Sequence, residues 1–272
     1  MTGSRTRAET AARQGAPRVV ALADAAGTFF DTARKAFPEA TEADWALARA
    51  ADPEAFGPAD SWLLEFRCFA VVRPGGRVTL VDAGVGPADA PAADWAPVPG
   101  RLPELLAEAA ISPTDVDTVV LTHLHGDHVG WAVGPDGAPW FTEAEYVLQR
   151  AETAPLAPDA PAAVRVVDPL RRAGVLREVE GEHRIGRHVT LVPTPGHTPG
   201  HQSVVVGGGE RELVLTGDLL VHAVQLVSPG VPYVHEVDPT LARRSREELL
   251  ARARRRGALL GTPHLTRPFV EP

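Results

Sequence analysis

The sequence predicts a mixed α/β fold in a single domain. Short apolar and β-branched runs recur along the chain between Gly, Pro and Asp clusters, as is typical of strands. Segments with capping residues at their ends predict helices among them. The chain has 272 residues, of which 44% are hydrophobic, and no linker leaves a core-sized segment on both sides. We therefore expect one domain over 17–272, preceded by a flexible N-terminal tail over 1–16.

The clearest predicted helix occupies 238–257, where Asp238 is the N-cap and Gly257 follows the last turn. Asp accepts backbone N–H groups at a helix start, and Gly adopts the left-handed conformation that commonly ends a helix. Two further segments predict helices, the first with Thr41 as its N-cap and the second with Pro103 in its first turn: 41–50 and 101–110.

Six short runs predict strands, because they are rich in β-branched residues and end at turn residues. The first two flank the turn "PGG" at 74–76 and should form a β-hairpin. The strands are predicted at 66–73, 77–82, 116–121, 188–193, 202–206 and 212–216. Two Pro/Ala-rich stretches predict long loops, at 84–100 and 152–164.

Composition excludes several classes of protein. The net charge of −8 argues against a nucleic-acid partner, which would require a cationic surface. Cys68 is the only cysteine, so no intrachain disulfide can form. The N-terminus has no apolar signal region, and no run of 18 apolar residues predicts a membrane span. We expect a soluble cytoplasmic protein, and the sequence leaves open whether it is a monomer or a homodimer.

The main indication of function in the sequence is a histidine-rich motif. The stretch "THLHGDHVGW" at 122–131 places His123, His125, Asp127 and His128 directly after a predicted strand. The first two histidines can face one metal ion, and the next two side chains, one turn later, can face a second. One loop cannot complete two sites, so further ligands must come from distant parts of the chain.

Three other ligand-type side chains follow apolar or strand segments in the same way. His197 lies in the Pro/Gly turn of "VPTPGHTPGH", Asp218 follows the strand in "LVLTGDLL", and His264 follows the apolar stretch in "LLGTPHL". Strand ends of this kind would converge on one edge of the sheets. The set favours a metal site. His201, four residues after His197, is predicted to support a ligand.

In these motifs the sequence resembles the metallo-β-lactamase fold superfamily, whose signature is His-x-His-x-Asp-His followed by a His, an Asp and a final His. "LVDAG" at 80–84 also resembles the family's early strand ending in Asp-x-Gly. The resemblance implies an αββα sandwich of two mixed sheets flanked by helices. It also implies two divalent metal ions, with His123, His125 and His197 on the first, Asp127, His128 and His264 on the second, and Asp218 bridging them.

Two metal ions that share an oxygen lower the pKa of water enough to supply hydroxide near neutral pH. They also polarise the oxygen of an ester-like centre. The predicted activity is therefore hydrolysis of a small molecule by a dinuclear metal-bound hydroxide, with Asp127 carrying the leaving-group proton by family analogy. The ligand set contains no thiolate, so Zn²⁺ is the favoured ion, although Mn²⁺, Fe²⁺ or Co²⁺ also suit it.

His128 and Asp218, with "LLVHAVQLVSPG" after Asp218, resemble the branch of quorum-quenching lactonases and methyl parathion hydrolase-like enzymes. A lactone is the leading substrate class. Thioester, β-lactam or organophosphate hydrolysis, as a step in small-molecule biosynthesis, are the alternatives. The non-enzyme alternative is a metal-loaded scaffold that binds a ligand without turnover.

The substrate-contacting residues are less well defined. The best-known acyl-homoserine lactonases carry Tyr three residues after the bridging Asp, where this chain has Val221 followed by His222. We expect the loop of His222 to pass the pocket mouth, where its imidazole would donate a hydrogen bond to the developing oxyanion. A structural, loop-capping histidine is the alternative, which would leave Tyr233 or Trp131 as the contact. Four apolar residues near the motifs are candidates for a pocket wall or for core packing: Trp131, Trp140, Phe141 and Leu226.

Overall fold

The computed structural model describes residues 7–9 and 15–272, which form two mixed β-sheets packed face to face between helices. The first sheet has the strand order β1 to β7. Its strands are β1 (Arg7–Glu9), β2 (Arg18–Thr32), β3 (Ser61–Val72), β4 (Val78–Val81), β5 (Val116–Val120), β6 (Glu145–Gln149) and β7 (Leu176–Val179). Neighbours from β1 to β4 are antiparallel, and those from β4 to β7 are parallel.

The second sheet has the order β13-β12-β11-β10-β9-β8. Its strands are β8 (His183–Ile185), β9 (Val189–Pro193), β10 (Gln202–Val206), β11 (Leu213–Leu215), β12 (Leu259–Gly261) and β13 (Phe269–Val270). β11 and β12 are parallel, whereas the other neighbours are antiparallel. The strands β9, β11 and β12 therefore run in one direction and deliver the residues after them to one edge.

Helices cover the outer faces of both sheets. The helices of the described chain are α1 (Ala33–Ala36), α2 (Glu42–Ala51), α3 (Leu102–Glu108), α4 (Gly126–Val129), α5 (Arg150–Thr153), α6 (Asp168–Arg172), α7 (Ala223–Val227) and α8 (Pro239–Arg256). Short 3₁₀ turns occur at Pro53–Ala55, Pro58–Asp60, Pro113–Asp115 and Gly217–Leu219, and a π turn at Ala163–Val167. In the described chain no helix is both long and apolar enough to cross a membrane.

Successive side chains along the strands point to opposite faces of each sheet, and this divides the hydrophobic core into layers. Val19 and Ala21 of β2 face the second sheet, whereas Val20 and Leu22 face α3 and α6, because successive side chains of a strand point to opposite faces. α8 packs Leu249, Leu250 and Ala253 against the outer face of the second sheet. The predicted αββα sandwich is confirmed.

Elements with strong local signals were predicted correctly. α8 has Asp238 as its N-cap, with the carboxylate accepting from the N–H of Leu241, and Gly257 follows with φ +59°. Thr41 forms a capping box with Asp44 at the start of α2. The predicted hairpin is β3–β4, and the helix predicted at 101–110 is α3.

Several regions differ from the prediction, among them the strands β6, β7 and β8, which were not predicted. The long strand β2 was not predicted, because Asp24, Gly27 and two register irregularities interrupt its apolar pattern. The loop predicted over 152–164 begins inside α5 and ends in the π turn. Within the tail predicted over 1–16, residues 7–9 instead pair with β2, while 1–6 and 10–14 lie outside the described residues.

Candidate metal centre

The histidine motif lies in the connection after β5. This strand ends at Val120, and α4 begins at Gly126, with His125 in the N-cap position. Close packing holds the end of α4 in place: a Cβ on Gly130, the residue after this helix, would lie 2.2 Å from the carbonyl carbon of Val85. The short helix α4 then presents Asp127 and His128 on the turn that follows His123 and His125.

The first group brings together side chains from three separate loops. Their ligand-type atoms, on His123, His125, His197 and Asp218, all lie within 4.8 Å of one another. His197 Nε2 is 3.0 Å from His125 Nδ1 and 3.3 Å from Asp218 Oδ2. His123 Nε2 is 3.7 Å from the same carboxylate oxygen.

The second group consists of Asp127, His128 and His264. Asp127 Oδ2 lies 3.4 Å from His128 Nε2 and 3.6 Å from His264 Nε2. The two imidazole nitrogens are 3.3 Å apart. Residues 136 positions apart in the chain thus meet at one point at the sheet edge.

Asp218 connects the two groups through different oxygens. Its Oδ2 faces His123 and His197, whereas its Oδ1 lies 3.0 Å from His264 Nε2 and 3.1 Å from His128 Nε2. The preceding Gly217 has φ +53°, and a Cβ there would lie 2.7 Å from His201 Nε2. Glycine is therefore required next to the carboxylate, both for the backbone conformation and for space.

These distances fit a pair of divalent ions. Ligands about 2.0–2.2 Å from a tetrahedral Zn²⁺ lie about 3.3–3.6 Å from each other, close to the separations in both groups. His123 Nε2 is buried and has no hydrogen-bond partner among the described residues, which is costly unless the atom binds something else. The donors are imidazoles and carboxylates, a set that zinc accepts.

Neighbouring groups orient the candidate ligands. Asp82 accepts a hydrogen bond from His128 Nδ1 at 2.8 Å and another from the N–H of Thr122 at 2.8 Å. His264 Nδ1 donates to the carbonyl of Glu65 at 2.8 Å. Such contacts fix the ring orientation and leave the opposite nitrogen available to a metal. His201 belongs to neither group and donates from Nδ1 to the carbonyl of Thr194.

Burial and charge act in opposite directions on these side chains. Burial lowers the pKa of His125 to about 4 and that of His123 well below its usual range. Burial would also lower the pKa of His128, but Asp218, Asp127 and Asp82 together raise it well above the usual value. The carboxylates therefore create a site that favours positive charge, as a dication requires.

An aromatic cleft of about 210 Å³ opens onto both groups. Its apolar and aromatic lining residues are Phe29, Phe30, Trp62, Leu64, Trp95, Val221, Tyr233 and His235. Among the described residues that line it, none is a lysine or an arginine. Tyr233 stacks nearly parallel to His197, with ring centroids 6.1 Å apart. Burial, followed by the charge of nearby carboxylates, raises the pKa of Tyr233, so the phenol stays protonated.

His222 does not line this cleft. Its Nδ1 accepts a hydrogen bond from the N–H of Val224, so the side chain caps α7, and the ring is surrounded by aromatic residues. These are Phe37, Trp45, Phe56 and Trp62, with centroids 5.2 to 5.6 Å away. Burial lowers its pKa to about 3. This position departs from the expected place at the pocket mouth and favours the capping alternative.

The predicted apolar wall is also located elsewhere. Trp131 and Phe141 are in the core beneath the first sheet, with Trp140 packed against it, and Trp131 Nε1 donates to Asp24. Leu226 packs against the core on the outer face of the second sheet. The actual wall includes Phe29 and Phe30 of β2, which lie between the register partners Thr28 and Thr32. Such an irregularity in strand pairing can redirect side chains, and the sequence pattern did not predict the irregularity.

The fold combines two mixed β-sheets with two groups of metal-ligand-type side chains at one edge. The sequence matches the family model of the Metallo-beta-lactamase superfamily over residues 65–264, so the chain belongs to this superfamily. Its described residues include a His/Asp cluster able to bind metal.

Individual relatives are more distant. An N-acyl homoserine lactonase of Bacillus thuringiensis is 28% identical over 159 residues, covering 55% of this chain and 56% of the relative. The chain spans about half the length of the curated relatives it matches.

Two solved structures share the fold over most of both chains. The hydrolase AbOPH has a TM-score of 0.82 at 22% identity and covers 99% of this chain and 94% of its own. AidC, a dizinc quorum-quenching lactonase solved with the product N-hexanoyl-L-homoserine, has a TM-score of 0.76 at 18% identity, with coverage of 96% and 91%.

Proposed function

We propose that this protein is a zinc-dependent lactone hydrolase with two metal ions. The observation that carries the proposal is the position of Asp218, whose two oxygens each face a separate group of histidine ligands. The lactonase relatives and the dizinc lactonase of the same fold support this proposal.

In this proposal His123, His125 and His197 hold the first ion, Asp127, His128 and His264 hold the second, and Asp218 bridges them. The bound ions would activate water as a nucleophile and polarise the substrate carbonyl. Asp127, which lines the cleft, would accept the proton released by the attacking water and deliver it to the leaving alkoxide.

The charge of the cleft favours a lactone over two of the rival substrates. β-Lactam antibiotics and glutathione thioesters carry carboxylates, and a site that binds such anions normally offers Arg or Lys. The cleft offers carboxylates, imidazoles and aromatic rings instead, so an uncharged substrate with an apolar group is favoured. A neutral phosphotriester has the same overall character and remains the competing substrate class.

A substrate panel tests the proposal. The zinc-loaded protein is assayed with N-acyl homoserine lactones, simple lactones, a glutathione thioester, a penicillin, a cephalosporin and a phosphotriester. We expect the highest kcat/KM with a lactone and about two zinc ions per chain. A higher kcat/KM with the phosphotriester would assign the competing class. Metal binding without turnover of any of these compounds would favour the non-enzyme scaffold.

A further inference from the structure

Glu152 is a buried carboxylate that neither group of candidate ligands includes. It lies in α5, directly after β6, and its side chain is almost inaccessible, with the residue 5% exposed. One carboxylate oxygen accepts a hydrogen bond from the N–H of Leu124 at 3.1 Å. The other accepts from the N–H of Gly200 at 2.8 Å. Each oxygen of one side chain therefore holds a different loop.

Both loops belong to the first group of ligands. Leu124 lies between His123 and His125, and Gly200 follows His197 by three residues. A Cβ on Gly200 would lie 2.2 Å from the backbone nitrogen of Glu152, so the loop contacts α5 directly. The separation between these two loops determines where the imidazoles of His125 and His197 meet, at 3.0 Å.

Among the described residues no Lys or Arg side chain forms an ion pair with Glu152, whose hydrogen-bond partners include the two backbone N–H groups. Burying a carboxylate without a cation is unfavourable, although hydrogen bonds to backbone donors offset part of the cost. A dication held by the neighbouring loops would add a favourable interaction with this charge. The residue therefore has both a geometric and an electrostatic connection to the first group.

We propose that Glu152 is a positioning residue for the first metal ion, joining the His123–His125 loop to the His197 loop and favouring the ion through its negative charge. The proposal rests on the dinuclear centre described above. It predicts that loss of Glu152 weakens one metal site selectively, which a general loss of packing would not do.

The test separates the two sites. His264→Ala disables the second group and leaves the first, and His197→Ala does the reverse. Glu152→Gln is introduced into each background, and Zn²⁺ affinity is measured by competition with a chromophoric chelator. We expect affinity to fall about ten- to a hundredfold in the His264→Ala background, the range for residues that support metal ligands. In the His197→Ala background we expect less than a twofold change.

Asp24→Asn is the matched control. Asp24 is also buried and accepts from two backbone N–H groups, those of Val85 and Leu102, but it holds neither loop of the first group. We expect Asp24→Asn to lower the unfolding temperature of the metal-free protein without a selective loss of first-site affinity. If Glu152→Gln fails to fold, Glu152→Asp replaces it, because a shorter carboxylate keeps the charge but cannot reach both loops.

Two outcomes would overturn the proposal: unchanged affinity in the His264→Ala background, or an equal loss in both backgrounds. The unmutated protein distinguishes this failure from failure of the proposed function. If it binds two zinc ions and hydrolyses lactones, only the role of Glu152 is lost. If it binds no metal, the dinuclear centre fails and the role of Glu152 fails with it.

Discussion

At the scale of single residues, Asp218 has the largest predicted effect on the centre. Its two carboxylate oxygens face different groups of candidate ligands, so replacing the carboxylate changes both groups at once. With the proposed dinuclear centre, Asp218→Asn should therefore reduce zinc from about two to about one or fewer ions per chain and lower kcat/KM at least a hundredfold, because it removes the charge that both ions would share. Elemental analysis and lactone kinetics measure these effects.

Asp82→Asn is the comparison for that variant. Asp82 contacts His128 from the side away from the group, so the substitution should weaken orientation and stability more than it removes ligand charge. Two-metal occupancy with near-normal turnover in Asp218→Asn would contradict the bridging role.

His222 is buried at the start of α7, and this position predicts a structural role for its side chain. We expect His222→Ala to lower the free energy of unfolding by about 1–3 kcal/mol, from the lost cap of α7 and the space left among aromatic rings. The kcat/KM of the folded, zinc-loaded variant should stay within about threefold of the unmutated value, because the ring does not line the cleft. Urea unfolding and lactone kinetics measure the two effects. A normal stability with a tenfold or greater kinetic loss would restore the catalytic assignment.

The same side chain should make stability depend on pH. Its pKa is about 3 in the folded protein, below the ordinary value of 6.5, so the unfolded chain binds the proton more readily. The stability that this histidine contributes is complete above pH 6.5 and is lost as pH falls toward 3, by about 1.4 kcal/mol per pH unit for one proton.

Unfolding of metal-free protein between pH 7 and pH 4.5 measures this effect, with His222→Gln as the reference. The unmutated protein should lose stability more steeply than the variant over this range. Parallel profiles would show that His222 keeps its ordinary pKa in the folded state.

At the scale of elements, local signals determined what the sequence could predict. α8 and the β3–β4 hairpin were predicted because Asp238, Gly257 and the turn at 74–76 act within a few residues. β2 was missed because its irregular pairing breaks the period of two on which strand prediction depends. Its conformation is set by β3, whose paired residues lie 29 to 54 positions further along the chain.

One buried ion pair connects α8 to the wall of the cleft. Arg246 Nη1 lies 2.8 Å from Glu236 Oε1 and also donates to the carbonyl of Leu219. Both side chains are inaccessible to solvent. Arg246→Met should therefore cost about 3–5 kcal/mol, because it leaves Glu236 charged, buried and unpaired.

Arg244→Met is the control on the same helix, because Arg244 forms an exposed pair with Glu248. Its cost should be below about 1 kcal/mol. Chemical denaturation compares the two variants. Equal costs would show that the buried pair contributes no more than a surface pair.

At the scale of the whole molecule, the candidate ligands and the cleft walls differ in how far the sequence could predict them. His123, His197, Asp218 and His264 each follow a strand or apolar segment, and the fold brings those ends to one edge. The walls come from β2 and β3, from the loop that carries Trp95 and from the segment of Tyr233. Their meeting depends on packing between distant elements, which no short pattern encodes.

The proposed lactonase activity also predicts a role in substrate binding for Phe30, at the exposed end of the cleft. Phe30 is 61% exposed, and its ring lies 4.1 Å from that of Phe29 and 6.1 Å from that of Trp95, measured between centroids. An apolar chain on a substrate would cover this ring and remove it from water. Phe30→Ser should therefore raise KM about five- to thirtyfold for lactones with long acyl chains, the equivalent of losing about 1–2 kcal/mol of apolar burial.

The effect should depend on chain length, since a short chain does not reach the rim, so KM for the shortest lactones should change less than twofold. Leu47→Ser is the matched control, because Leu47 is an apolar residue of α2 with a similar exposure of 55% and does not line the cleft. Its KM values should match those of the unmutated protein at every chain length. If Phe30→Ser raises KM equally for short and long chains, the ring shapes the cleft as a whole and does not contact the distal part of the substrate.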